Sequence, residues 1–278
     1  MIIQHNISAI NSYRQLNGNN KMLASNLEKL SSGYKVNRAA DDAAGLAISE
    51  KMRAQIRGLE TAMKNAKDGI SVIQTAEGAL NEVHSMLNRM VELATQASNG
   101  IYGSLERANI QAEIDALNDE IDRIADSTNF NDTKLLDGTL SAMTLQIGDT
   151  ADQTIQVSVD NMDAATLKTD TVKVTDSAFD NAAAVSNANT AIGVIKTAIN
   201  EVSKNRANLG ALQNRLEHTI NNIGVAVENI TAAESRIRDT DMAQEMMLYT
   251  KNTILVQAAQ SMLAQANMVP QGVLQLLR

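Results

Sequence analysis

The sequence predicts a mainly α protein: an elongated bundle of long helices with heptad seams, one small β-hairpin region at about 140–175, and the two chain ends paired as an α-helical coiled coil. Three observations predict it. Apolar residues recur with alternating steps of three and four over most of the chain, the spacing of a single helix face. Pro270 is the only proline, so nothing interrupts a long helix before it. Aromatic residues make up 2% and Trp is missing, and a core of Ala, Leu, Ile, Val and Met suits helix-to-helix seams, whereas substrate pockets usually draw on aromatics.

The first helix carries Ile2, Asn6, Ala9, Tyr13, Leu16, Asn20, Leu23, Leu27 and Leu30 at heptad spacing. Its two Asn positions weaken the seam but can fix its register. It stops at Ser31-Ser32-Gly33, with Gly at the C′ position. Residues 34–42 form a connector in which Asp41 and Asp42 cap the next helix and complement its dipole, with Asn37 an alternative cap. Arg38 joins them in a charged cluster, for which a contact between subunits is the second reading.

The helix over 43–98 keeps its phase from Ile48 to Ala97, and would be roughly 84 Å long, which predicts a rod. Asn99-Gly100 and Gly103-Ser104 make a turn. A further helix places Ile110, Ile114, Leu117, Ile121 and Ile124 on one face and ends near Ser127–Asn129. Asn131-Asp132 and Asp137-Gly138 are turn signals. Thr144–Ile147 and Thr154–Val159 alternate around Gly148-Asp149-Thr150, which reads as a hairpin, and Val172–Thr175 reads as a further short strand. Residues 176–190 are ambiguous between loop and helix. The next long helix runs from Ile192 to about Ile237, and 234–240 forms the second connector, opposite the first.

From Asn252 to Leu277 there is no charged residue. Leu255, Ala259, Met262, Ala266, Val269, Val273 and Leu276 form its seam. The two end helices have no sequence neighbour to pack on, so the simplest arrangement pairs them with each other and then with further copies. The division is into a terminal domain, 1–40 plus 235–278, and a rod domain, 41–234.

Several function classes are excluded or disfavoured. A net charge of −8 without a dense Lys/Arg cluster argues against nucleic-acid binding. Zero cysteines exclude disulfide and thiol chemistry. His5, His84 and His218 lie on different elements, so no metal site and no cofactor is expected. The apolar runs of the tail are broken by Gln257, Gln260 and Gln265, so no membrane span is expected. The start MIIQHNISAI lacks the basic and apolar regions of a Sec signal peptide. No nucleophile and base stand together, and no enzyme is expected.

The blocks LSSGYKVNRAADDAAGLAISEKMRAQIRGLETAMKNAKDGISVIQTAEGALNEV (30–83), IQAEIDALNDEIDRIADSTNFND (110–132), SRIRDTDMAQEM (235–246) and MLAQANMVPQGVLQLLR (262–278) closely resemble the two ends of bacterial flagellin. With only some fifty residues between the matching parts, the chain resembles a short form lacking the variable outer domains. The resemblance implies a subunit that polymerises with copies of itself into the extracellular flagellar filament for swimming motility, with its terminal helices in the inner tube. It implies unfolded export without a Sec signal, an export chaperone on the C-terminal helix, and filament cap and hook-junction proteins as partners. The assembly seam is then Ile2, Ala9, Tyr13, Leu16, Leu23, Leu27, Leu30, Leu255, Met262, Val269 and Leu276. Residues 87–96 resemble the segment sensed by the vertebrate Toll-like receptor for flagellin, with Arg89, Glu92, Leu93, Gln96 and Glu113 at matching positions. Alternatives are a hook–filament junction protein, which shares the terminal sequences, and a secreted coiled-coil adhesin or scaffold, which explains the heptads but not the uncharged tail.

Overall fold

The computed structural model describes residues 6–140, 142–175 and 181–276, with the side chains of 181 and 270–276 left undescribed. In chain order the elements are α1 (Ile7–Ser32), α2 (Ala43–Ala97), α3 (Ser104–Ser127), β1 (Asn129–Phe130), β2 (Thr133–Lys134), β3 (Met143–Gln146), β4 (Thr154–Val157), a 3-10 turn (Thr169–Thr171), α4 (Asn181–Arg238) and α5 (Met242–Leu276). The chain forms two compact units, Met1–Ile56 with Glu228–Arg278, and Arg57–Val227, and the divisions fall within α2 and α4.

Unit Arg57–Val227 is built on the seams that the spacing predicts. From Ala62 through Ala66, Gly69, Ile73, Ala76, Leu80, Val83, Leu87, Met90 and Ala94 to Ala97, the α2 seam is buried. It meets Ile110, Ile114 and Ile121 of α3 and Ile195, Val202, Leu209 and Leu216 of α4 in one apolar cluster. No polar side chain interrupts this α2 line, which makes burial the dominant stabilising term.

β3 and β4 pair antiparallel from Met143 with Val157 to Gln146 with Thr154, where alternation predicted a hairpin. The hairpin lies close on α2. The Asn65 side chain donates to the Gln146 carbonyl at 3.2 Å, and at Gly69 a Cβ would stand 2.4 Å from Leu145 Cδ1. A second, two-residue pairing joins β1 to β2 around Asn131 and Asp132, both with positive φ.

Val172–Thr175 is not a strand. Its backbone is claimed by a side chain instead: Gln111 of α3 donates to the Val172 carbonyl at 3.1 Å and accepts from Val174 N at 2.8 Å. Asn118 and Asp122 continue the strap, reaching the Thr169 carbonyl and Ala164 N. Of the ambiguous stretch, 181–190 is the start of α4, and 176–180 lie outside the described residues.

In the other unit α1 packs on α5. Asn6 caps α1 by accepting from Ala9 N at 3.1 Å, and its amide also donates to the Ala266 carbonyl at 2.8 Å. Gly33 ends α1 with φ 77°, a left-handed conformation that costs Gly nothing. The connectors pair with each other: Tyr34 bridges Asp239, Lys35 N donates to the Arg238 carbonyl, and Thr240 N donates to the Gly33 carbonyl. Arg238 closes this junction, its guanidinium 4.8 Å from the centre of the Tyr34 ring and hydrogen-bonded to Glu50.

Candidate assembly surface

The terminal pair turns a different face inward than the sequence seam suggests. On α1 the covered positions are Ala9, Ser12, Leu16, Asn19, Leu23, Asn26 and Leu30. On α5 they are Glu245, Tyr249, Asn252, Val256, Ala259, Leu263 and Ala266. Half of each expected line is thus shared, and the other half is displaced by one residue. Tyr13 (61% exposed), Leu27 (56%), Leu255 (40%), Met262 (63%) and Val269 (52%) point away from the partner helix. Ile7, Ile10, Ile254 and Met268 lie exposed beside them. Ile2 lies outside the described residues, as does the side chain of Leu276.

On α1 what takes the inner place is polar, Ser12, Asn19 and Asn26, whereas on α5 Tyr249, Val256 and Leu263 take it. Asn26, Glu245 and Asn252 are 7–8% exposed. With its amide turned to meet both neighbours, Asn26 donates from Nδ2 to the Met22 carbonyl (3.0 Å) and to Glu245 Oε1 (3.1 Å), and accepts from Asn252 Nδ2 (3.0 Å). Buried polar groups are retained only when satisfied in this way. The sequence reading missed this trio. Its signal was present: Ser12, Asn19 and Asn26 repeat every seven residues, as do Glu245 and Asn252.

At the connector the two acids divide their roles. Asp42 caps α2, accepting from Gly45 N at 2.9 Å. Asp41 does not cap the helix but closes the turn before it, accepting from the backbone N–H of Asn37 (3.2 Å) and Arg38 (3.0 Å). These bonds, that of Arg38 first, hold its carboxyl below the usual carboxylate range. The Arg38 side chain turns back to Glu28 at 2.8 Å, which raises its pKa.

Arg89, Glu92 and Glu113 form an exposed charged group: Arg89 meets Glu113 at 2.9 Å and Glu92 at 3.0 Å, and Glu113 and then Glu92 raise its pKa. Gln96 bonds the Tyr102 hydroxyl at 3.2 Å. Leu93 does not join this surface; it is 2% exposed and lies in the core. Beneath the nearby turn Arg107, equally buried, donates to the Ala97 and Asn99 carbonyls and so finishes the C-terminus of α2.

Among the described residues no group of three His, Asp or Glu is placed to hold a metal ion, and no helix is long and apolar enough to cross a membrane.

The model of the bacterial flagellin N-terminal helical region matches residues 3–141, and that of the flagellin C-terminal helical region matches 192–277. The chain belongs to the bacterial flagellin family. Over the full length of both chains it is 53% identical to a flagellin of Bacillus subtilis (strain 168) and 52% to one of Halalkalibacterium halodurans. It is 48% identical, again over all of both chains, to the flagellar filament 33 kDa core protein of Treponema phagedenis. Of solved structures, Bacillus cereus flagellin matches with TM-score 0.50 and 32% identity over 62% of this chain and 94% of its own. This flagellin is a structural subunit that polymerises with copies of itself into the extracellular flagellar filament, and is not an enzyme. The long helices and small hairpins are the mainly α fold that the sequence predicts.

Proposed function

We propose that filament growth is carried by the outward apolar line of the terminal pair. The observation behind this is the exposure of Tyr13, Leu27, Leu255, Met262 and Val269 along helices that already pack on each other. A line of large apolar residues on a soluble chain marks a surface that will be covered. Here the cover is the same pair in neighbouring copies, joined head to tail and side by side in an open helical lattice. Ala9, Leu16, Leu23 and Leu30 then hold the pair itself. The functional division is the terminal domain, 1–40 with 235–278, and the rod domain, 41–234.

Helices with a single apolar stripe are marginal in water. The ends therefore order on assembly, and burial at about 25 cal/mol per Å² of apolar surface, less the cost of ordering, drives growth. An export chaperone covering α5 keeps subunits apart before secretion, the cap places them at the tip, and the junction proteins seat the first ones. Arg38, Asp41 and Asp42 set the direction in which the chain leaves the terminal pair. Arg89, Glu92, Gln96 and Glu113 offer a polar surface to a vertebrate Toll-like receptor, with Leu93 seating them from beneath.

Deletion of 252–278 tests the central reading. The remaining chain is expected to stay helical by circular dichroism and to give no filaments by electron microscopy. Normal filaments from the truncated chain would overturn it.

A further inference from the structure

We propose that Asn26, Glu245 and Asn252 act as a rotational lock on the terminal helices, deciding which line of α1 and α5 faces inward and which faces neighbouring copies. The inference rests on the reading of the outward line given above.

Each terminal helix carries two overlapping stripes. On α1 both contain Ala9, Leu16, Leu23 and Leu30; one adds Ser12, Asn19 and Asn26, the other Tyr13, Asn20 and Leu27. On α5 both contain Glu245, Asn252, Ala259 and Ala266, seven residues apart; one adds Tyr249, Val256 and Leu263, the other Leu248, Leu255, Met262 and Val269. A turn of each helix by roughly 50° exchanges them, half of the step between successive residues. On α1 apolar burial alone favours the second pairing, because Tyr13 and Leu27 offer more apolar surface than Ser12 and Asn26, while on α5 Tyr249, Val256 and Leu263 roughly match Leu248, Leu255 and Met262. The structure adopts the first.

Asn26 separates the two: it lies on only one stripe of α1, and Glu245 and Asn252, common to both stripes of α5, hold it there. In the adopted rotation Asn26 is satisfied on both its amide atoms, and a carboxylate and a second amide are the partners. A hydrogen bond to a charged group is stronger than a neutral one. Turning the helices would break these bonds within a partly covered seam. A polar residue in a coiled-coil seam is known to fix alignment at a cost in stability. The lock therefore gives up apolar burial within one chain and leaves it available between chains. Asn26, Glu245 and Asn252 are positioning residues: they bond one another within the chain and act through the faces they present.

Disulfide trapping tests this, since the chain has no cysteine of its own. The partners Asn6 with Ala266 and Asn26 with Glu245 and Asn252 place Ser12 opposite the 259–263 stretch. One pair is Ser12→Cys with Leu263→Cys; the other is Tyr13→Cys with Met262→Cys. Each is added to growing filament seeds, oxidised, and scored for cross-links within a chain, separately from links between chains. The Ser12/Leu263 link is expected to exceed the Tyr13/Met262 link within a chain by at least about tenfold, the ratio one charge-assisted hydrogen bond sustains. In the background Asn26→Leu, Glu245→Leu, Asn252→Leu the order is expected to reverse. An unchanged ratio there overturns the lock. Glu245→Gln and Glu245→Leu provide the second arm. Gln keeps an acceptor for Asn26 and Leu keeps only bulk, so Gln is expected to join the filament with the natural ratio and Leu to join poorly or with the ratio lowered. Equal behaviour of the two overturns the lock. Leu255→Asp with Met262→Asp tests the underlying reading separately: normal filaments from that variant would remove the role of the outward line, while the cross-link ratio still reports on the rotation.

Discussion

The unit of residues 57–227 and the terminal pair α1–α5 use the same alternating spacing and bury different things. In the first, the line from Ala62 to Ala97 disappears into a cluster shared with α3 and α4, and its large side chains Leu80, Leu87 and Met90 are fully covered. In the second, the covered line holds Ser12, Asn19, Asn26, Glu245 and Asn252, while Tyr13, Met262 and Val269 remain outside. The first is finished within one chain. The second leaves Tyr13, Met262 and Val269 uncovered within one chain. The difference teaches that a heptad seam reports that a face will be buried, without reporting by which copy.

The largest effect that separates the two regions is loss of the polymer. Leu255→Asp with Met262→Asp places two charges on the outward line, and a charge buried without a partner is strongly unfavourable. No filaments are expected by electron microscopy, whereas the soluble chain should keep its helical circular dichroism. Unfolding of the soluble chain by this variant would mean that the line is already buried within it. The converse comes next. Leu87→Ala in the finished core is expected to cost about 2–5 kcal/mol in denaturant unfolding of the soluble chain. Leu255→Ala should change the same measurement by less than about 0.5 kcal/mol and appear instead as a higher concentration needed for polymerisation.

The legibility of the sequence follows the same division. From Ala62 to Ala97 the seam of α2 was readable residue by residue, because three helices in one chain bury it and its own periodicity is the whole signal, whereas Ile48 on the same line is exposed. The ends were readable as helices, as a pair, and as the parts of a polymer. Their inward face was not, because Leu16 and Leu23 belong to both stripes and the deciding groups are polar. A reading that follows apolar residues puts Leu27 inside and Asn26 outside; the hydrogen bonds to Glu245 and Asn252 reverse this. Val172–Thr175 failed for a related reason. Its alternation suits a strand, but the Gln111 amide takes the backbone groups that a neighbouring strand would use. Arg89, Glu92 and Glu113 were legible as a group because the resemblance named them together, whereas the burial of Leu93 depends on packing that the resemblance does not describe.

A smaller contrast lies within α2 itself. At Gly78 no atom lies within 4 Å of an added Cβ, whereas at Gly69 Leu145 Cδ1 would be 2.4 Å away. Gly78→Ala should stabilise the chain by about 1 kcal/mol, the helix-propensity difference. Gly69→Ala gains the same propensity but must displace the hairpin side chain, and overpacking of this kind costs about 1–3 kcal/mol. Thermal unfolding of the two variants should therefore give opposite signs. Equal stabilisation would show that β3 yields freely, and that the hairpin is not part of the finished core.

The smallest expected effect is at the connector between α1 and α2, where Asp41 is held by two backbone N–H groups. Its carboxyl lies below the ordinary value of 3.8. The group is therefore charged more readily in the ordered turn than in the open chain, and its contribution is complete above 3.8 and is lost as pH falls through the lower, ordered-state value. The side chain is exposed, so the change should be local. The amide resonances of Asn37 and Arg38 are expected to shift together on acidification while those of the α2 core stay fixed, and Asp41→Asn should abolish the titration. A simultaneous shift of the α2 core would mean that the connector and the core melt as one. The contrast between a finished core and separately adjustable ends would then have to be redrawn, with the turn at Asp41 counted on the side of the core.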